Sequence, residues 1–338
     1  MKRKIALIGL GRMGKIHLRH LYQAIPDAEL VAVSDRFYDR NKFAEEYPGI
    51  AFSNDSDEVL AHAGIDAVVI CTPTSTHAEL IEKALEAGKH IFCEKPLDLS
   101  LSVTIDLLNK AEKKGVKLMI GFNRRFDPDF SKARDSVTKN VIGDIQVIKI
   151  TNRDPDLPPV GFIEHSGGMF MDFSIHDFDM ARYISGKEVR EVYARGMAFI
   201  DKRVEEAGDI DTCLINLVFE DDTYALIDNS RRAVYGYDQR IEIFGDKGMI
   251  SVENNLYNQN VIYTQSSISQ ALPLNNFSER YETSYLLELK GFVDALVKDA
   301  EFPILNKDII SATAIAYAAR KSLKEDRPVL VSEIMDEL

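Results

Sequence analysis

Two apolar rhythms alternate along the first 120 positions of the chain. Short, continuously apolar runs at residues 4–10, 30–35, 67–71, 90–93 and 117–121 are separated by stretches whose apolar residues recur every three or four positions, near 13–23 and from about 38, 78 and 100. Runs that are apolar throughout are expected of strands covered on both faces, and the intervening spacing is that of amphipathic helices. Strand and helix in strict alternation predict a doubly wound parallel sheet, an α/β domain over residues 1–121. After Asn123 the pattern changes. Strand-like segments at 145–151, 189–198, 212–219, 223–229, 239–244 and 248–252 follow one another, punctuated by turn signals such as Glu220-Asp221-Asp222 and Gly245-Asp246-Lys247-Gly248. They predict a second, α+β domain built on a larger sheet over 122–338. Two amphipathic helices, at 283–298 and 308–324, are free to return and pack on the first domain, while 254–276, rich in Asn, Gln and Ser, reads as loop.

The glycines sharpen this picture. Gly9-Leu10-Gly11-Arg12-Met13-Gly14 lies between the first strand and the first helix. In a dinucleotide-binding turn the first glycine permits the tight bend, the second lets backbone approach a pyrophosphate, and the third lets helix and strand pack closely. The second strand ends at Asp35, where such a fold places an acid on the adenine ribose. The rival reading, a nucleotide loop ending Gly14-Lys15, meets Ile16 where a Ser or Thr hydroxyl is required. A carboxylate at Asp35 accepts from both ribose hydroxyls and repels an extra phosphate, so NAD is expected. Arg36 leaves weaker use of NADP open.

Composition adds bounds. At 338 residues, 45% hydrophobic and 28% charged, the chain has the material for about two globular domains. A net charge of -13 argues against nucleic acid or an anionic membrane as partner and suits a small-molecule substrate. Cys71, Cys93 and Cys213 have no metal-ligand spacing, Cys71 and Cys93 lie in apolar strand-like runs where buried thiols are common, and a reducing cytoplasm is the expected compartment. The basic opening, Met1 to Lys4, precedes an apolar run too short for a secretory signal.

Three clusters stand out, and all are expected to lie where the first domain's strands end, which is where open α/β sheets bind ligands. Thr72-Pro73-Thr74-Ser75-Thr76-His77 offers hydroxyls either to cap a helix or to meet the cofactor. Lys95, in Glu94-Lys95-Pro96, is either a solvated loop residue or a cation facing the nicotinamide. The stretch from Ser166 to Asp179 has helical apolar spacing, which would set Asp172 and His176 on one face. As a surface pair they would be unremarked; as a site they supply a base and its orienting carboxylate. A metal is not expected there, since no further ligand is suitably spaced. Oxidising an alcohol with NAD requires a base for the hydroxyl proton as hydride leaves carbon. His176 suits that role, with Asp172 to orient it and Lys95 to hold the reacting oxygen.

With these residues in view, the chain resembles the family that groups glucose-fructose oxidoreductase, inositol dehydrogenase and rhizopine catabolism proteins (Gfo/Idh/MocA). The resemblance rests on the glycine motif, Cys71-Thr72-Pro73-Thr74 with His77, Glu94-Lys95-Pro96, Gly121-Phe122-Asn123-Arg124-Arg125-Phe126-Asp127, Ser166-Gly167-Gly168, Asp172-x-x-x-His176-Asp177-x-Asp179, and Ser230-Arg231-Arg232 with Tyr235-Gly236-Tyr237-Asp238. It implies a Rossmann domain followed by a domain with a large open sheet, used in many members to build tetramers. The later motifs resemble the inositol 2-dehydrogenase branch, which oxidises myo-inositol to 2-keto-myo-inositol with NAD. By that resemblance Lys95, Asp172 and His176 are catalytic, and Arg125, Asp154, Asp179, Tyr235 and Tyr237 line a polyol pocket. The expected cofactor set is Gly9, Gly11, Arg12, Met13, Gly14, Asp35, Arg36, Thr72, Pro73, His77, Glu94 and Lys95. The family also holds dehydrogenases of other polyols and sugars, and sensors that bind dinucleotide without turnover.

Overall fold

Six strands make the first sheet: β1 Arg3–Ile8, β2 Ala28–Ser34, β3 Ala51–Ser53, β4 Ala67–Ile70, β5 His90–Cys93 and β6 Leu118–Ile120. Their order is β3-β2-β1-β4-β5-β6, and every pair is parallel. The order reverses between β1 and β4, so connections from these strands leave in opposite directions and a crevice opens at the carboxyl edge of the sheet. All four residues of β4 and the last four of β1 are buried, as a sheet covered on both faces demands. This is the doubly wound fold that the alternation predicts. β3 and the helix Ser56–Leu60 add to it; at three and five residues they are too short to show a period. The second helix opens at Arg40 rather than near Tyr38, because the Asp39 side chain accepts from the Lys42 N–H and caps it.

The computed structural model describes residues 2–338, in two compact units: 2–126 with Thr283–Ile310, and Asp127–Glu282 with Ser311–Leu338. Within the first unit the helix Glu282–Lys298 brings Phe292 against Phe92 of β5, with ring centroids 5.7 Å apart, and Phe302 closes on the other side at 5.1 Å. Arg3 of β1 donates to the Leu296 carbonyl at 2.5 Å.

The second unit is built on β7 Ile145–Arg153, β8 Val189–Met197, β9 Thr212–Phe219, β10 Tyr224–Ser230, β11 Asp238–Gly245 and β12 Gly248–Val252. A separate hairpin, β13 Val261–Tyr263 with β14 Ile268–Gln270, falls inside the stretch read as loop. Its residues are exposed on both faces, so no alternation marks it in the sequence. With β15 Val329–Leu330 the large sheet runs β12-β11-β7-β10-β9-β8-β15. β7 and β10 are parallel and the remaining pairs antiparallel, which makes the sheet mixed. Helices including Pro128–Thr138 and Ile175–Ser185 pack on the sheet. Strand positions alternate between buried and exposed, leaving Leu214, Tyr224, Phe244 and Met249 exposed.

All three cysteines are free and buried. Burial pushes each thiol up, which makes them poor nucleophiles. Among the described residues no helix is long and apolar enough to cross a membrane.

Candidate active site

At the crevice of the first sheet the three motif glycines do three different things. Gly9 turns the chain at a φ of +97°, and a Cβ there would lie 2.8 Å from the carbonyl carbon and oxygen of Cys71. Gly14 sits in the first turn of the helix Arg12–Gln23, where a Cβ would be 1.9 Å from the Gly9 carbonyl oxygen. Gly11, at the helix N-cap, faces open space, and no side chain caps the helix. Unpaired N–H groups at an open helix N-terminus form an anion site. Asp35 follows β2 and does more than the sequence reading gave it. Its Oδ2 accepts from the Leu10 N–H at 2.7 Å, and its Oδ1 accepts from the Phe37 and Tyr38 N–H groups at 2.9 and 2.8 Å. The same carboxylate that would meet a ribose therefore ties the β2 loop to the glycine loop. Arg12 and Arg36 are exposed, and Met13 is half-buried.

After β4, the Thr76 hydroxyl lies 2.7 Å from Thr72 Oγ1 and 2.8 Å from the Pro73 carbonyl, so the threonines brace their own turn. His77 is buried, with Nδ1 2.9 Å from the Pro96 carbonyl and Nε2 2.9 Å from the Thr72 carbonyl. A carbonyl only accepts and a neutral ring has one N–H, so His77 donates to one of these two loops and packs its other nitrogen against the second, a role the cofactor reading of His77 did not contain. Beside it, Glu94 Oε1 lies 2.7 Å from His17 Nε2, and a Cβ on Gly121 would come within 3.0 Å of the Glu94 carboxylate. Lys95, half-buried and joined to Pro96 by a cis peptide, is held between these two braces. Glu288 joins His17 and Glu94 in a cluster whose candidate ligand atoms lie within 4.8 Å of one another. Within it the direct His17–Glu94 hydrogen bond ties the first helix to the end of β5, a brace beneath Lys95. Arg125, also in the first unit, pairs with Asp308 at 3.0 Å with both side chains about nine-tenths buried.

In the second unit the single helix expected from Ser166 to Asp179 is replaced by two helical segments and a junction. Gly167 and Gly168 take φ of +89° and +75° and end the helix Val160–Ser166. A π-helical turn, Met169–Phe173, carries Asp172, and the α-helix Ile175–Ser185 carries His176. Asp209 explains the turn: its carboxylate accepts from the Met169 N–H at 3.0 Å, and a Cβ on Gly168 would strike it at 2.7 Å. Burial raises the Asp209 carboxyl against these hydrogen bonds. Asp172 and His176 therefore lie on successive turns of different pitch, and an ideal-helix i, i+4 spacing does not describe them. Sequence reasoning also missed what Arg231 does. Its guanidinium is 1% exposed, lies 5.4 Å from the Phe173 ring centroid and reaches Asp172 Oδ2 with two nitrogens at 3.4 and 3.5 Å. A fixed cation beside Asp172 favours its ionised form.

Of the pocket residues drawn from the resemblance, Asp154 is half-buried just beyond β7, its N–H donating to the Ser230 carbonyl, and Asp179 is buried in the helix that carries His176. The Tyr235 hydroxyl donates to Asp238 Oδ2 at 2.6 Å and accepts from Arg153 Nη1 at 2.9 Å; burial and the Asp238 carboxylate raise its phenol. Tyr237 is buried edge-on against Tyr281.

Residues 3–122 match the oxidoreductase family with an NAD-binding Rossmann fold, and residues 130–251 match the GFO/IDH/MocA C-terminal domain. The chain belongs to the Gfo/Idh/MocA oxidoreductase family. It is 44% identical to the myo-inositol 2-dehydrogenase of Thermotoga maritima, over 98% of this chain and 99% of that one. It is 38% identical to the scyllo-inositol 2-dehydrogenase (NAD(+)) of Bacillus subtilis, over 96% and 95%. Among solved structures it is similar to a myo-inositol dehydrogenase from Corynebacterium glutamicum, with a TM-score of 0.92, 36% identity and coverage of 98% and 99%. As in other members of the Gfo/Idh/MocA family, the first unit is an NAD-binding Rossmann fold. Asp35 is the residue expected to decide between the dinucleotides. Asp35→Ser is expected to cost NAD about 1.5–3 kcal/mol, the worth of a hydrogen bond to a charged group. The ratio of NADP to NAD efficiency should rise with it. Initial rates with both cofactors check this; a flat ratio would place the ribose contact elsewhere.

Proposed function

We propose that the protein oxidises the axial hydroxyl of myo-inositol to the ketone, 2-keto-myo-inositol, with NAD as hydride acceptor. The observation that carries this reading is the near-full-length likeness to a myo-inositol 2-dehydrogenase, in a chain that keeps lysine, aspartate and histidine at the motif positions. Hydride leaves the substrate carbon for the nicotinamide, and the hydroxyl proton goes to His176. Asp172 stabilises the imidazolium that results, and Lys95 holds the oxygen as negative charge develops on it. Residues 1–121 serve the dinucleotide, with NADP a weaker substitute; 122–338 serve the polyol and assembly. Arg125, Asp154, Asp179, Tyr235 and Tyr237 supply the charged and phenolic groups that a ring of hydroxyls calls for. The exposed Leu214, Tyr224, Phe244 and Met249 favour a homo-oligomer, a tetramer, in which another copy covers them. Free, buried thiols suit a reducing cytoplasm.

The second reading is scyllo-inositol oxidation, favoured by the likeness to the scyllo-inositol 2-dehydrogenase. One experiment separates the two: NADH formation by the purified protein with myo-inositol, scyllo-inositol, chiro-inositol and glucose at matched concentrations. Preferential turnover of myo-inositol is expected. Preference for another polyol keeps the chemistry and moves the substrate, and tight NAD binding without turnover of any of them points to a sensor.

A further inference from the structure

Beneath His176 runs a chain of hydrogen bonds that the catalytic reading does not use. Asn152 on β7 is the register partner of both Asn229 on β10 and Gln239 on β11, so three amides stand in a row across three adjacent strands. Asp177 Oδ2 accepts from Asn152 Nδ2 at 2.7 Å and from Asn229 Nδ2 at 2.9 Å. Gln239 Nε2 donates to Asn152 Oδ1 at 2.6 Å, and the Tyr281 hydroxyl donates to Gln239 Oε1 at 3.0 Å. On the other side the Ser174 hydroxyl donates to Asn229 Oδ1 at 2.5 Å. All six side chains belong to residues no more than 2% exposed.

Two features set this chain apart from ordinary buried polar packing. Every donor points toward Asp177, so the carboxylate fixes the orientation of each amide in turn, and reversing any one would set like groups face to face. Asn229 also grips residues on both sides of His176: Ser174, where the π-helical turn meets the α-helix, and Asp177, one residue beyond. The start of the helix is thereby fixed in rotation about its axis, and the direction of His176 is fixed with it. An apolar interface would hold the helix against the sheet, but it would tolerate rotation and sliding that directional bonds do not.

We propose that Asn229 and Asp177, backed by Asn152 and Gln239, are positioning residues that aim His176 at the reacting hydroxyl. This rests on the reading of His176 as the base. Asn229→Asp puts a second carboxylate against Asp177. It is expected to lower kcat by about tenfold to a hundredfold, the cost of misplacing a catalytic group by roughly an ångström. NAD affinity should stay that of the parent. The exchange Asn229→Asp with Asp177→Asn leaves a single carboxylate, at position 229, which accepts from Ser174 and from the new amide at position 177; that amide turns its NH2 toward Asn152, so the Asn152 and Gln239 amides reverse together with the Tyr281 hydroxyl accepting, and the exchange should recover part of the lost kcat. The kinetic isotope effect with substrate deuterated at the reacting carbon distinguishes aim from folding. Misdirection slows the hydride step and raises the effect on kcat in the single variant, whereas a smaller folded fraction leaves it unchanged. Parent-like kcat in Asn229→Asp overturns the proposal, as does a loss with an unchanged isotope effect that the exchange fails to restore. Should the single variant not fold, Asn229→Ala removes both links without adding charge, and full kcat in it overturns the proposal equally. His176→Ala run alongside separates the two levels: activity there sinks the base assignment itself, while an inactive His176→Ala beside an unimpaired Asn229→Asp sinks only the positioning role.

Discussion

Lys95→Met is expected to lower kcat by about a thousandfold, within the range that general acid and electrostatic contributions reach, with NAD affinity unchanged. Met keeps the reach and apolar stem of Lys and deletes only the ammonium, so the loss measures charge rather than packing. The expectation draws on how firmly the position is held. Lys95 leaves the buried end of β5, the carbonyl of its neighbour Pro96 is tied to His77, and the preceding Glu94 is hydrogen-bonded to His17. A braced backbone fixes the point from which the side chain reaches, so in the proposed reaction only its rotamers remain to be ordered when it meets the oxygen. Lys95→Arg should not restore the rate, because a planar fork does not replace a compact charge at one oxygen. Fluorescence titration with NADH and steady-state rates read both halves of the prediction. Near-parent turnover in Lys95→Met would return Lys95 to the status of a loop cation.

How much of this was legible beforehand depends on where the constraint resides. Gly9 and Gly14 answer to steric demands from their immediate surroundings, and such demands are written as glycine in the sequence itself. The strands of the first sheet were readable for a similar reason: burial on both faces leaves an unbroken apolar run. β3 was missed because three residues carry no period, and the β13–β14 hairpin because exposure on both faces erases one. The broken helix around Asp172 had a local signal, the Gly167-Gly168 pair, but the helical spacing of the apolar residues after it outweighed that signal. The supports of the candidate site were not legible at all. Asn152, Asn229 and Gln239 look like ordinary polar residues of strands, and only the register of β7, β10 and β11 sets them in a row under Asp177. Arg231 was noted within a motif, yet its approach to Asp172 joins residues 59 positions apart. His77 shows the same limit from the other side, since its residue type gave no hint that the ring would be packed between two backbone carbonyls.

His176→Ala is expected to reduce kcat by about a hundredfold to ten-thousandfold at neutral pH, the usual contribution of a general base. Its sign with pH is as informative as its size. With the ring gone the proton must pass to water or hydroxide, and the residual rate should climb steadily with pH. Added imidazole should recover part of the activity in His176→Ala and do nothing for Lys95→Met, because it replaces a missing proton acceptor and not a missing cation. Asp172→Asn should fall between parent and His176→Ala. In the proposed reaction it removes the charge assigned to stabilising the imidazolium and leaves the histidine in place, and Arg231 then faces a neutral amide in place of its carboxylate. Loss of that ion pair leaves a buried guanidinium without its anion, so this variant should also unfold at a lower temperature than His176→Ala. Rates and melting temperatures measured together on the two variants separate the two duties of Asp172, one toward the proton on His176 and one toward the charge beneath it. Parent-like kcat in His176→Ala at neutral pH would remove the histidine from the chemistry and leave Asp172 as a structural anion for Arg231.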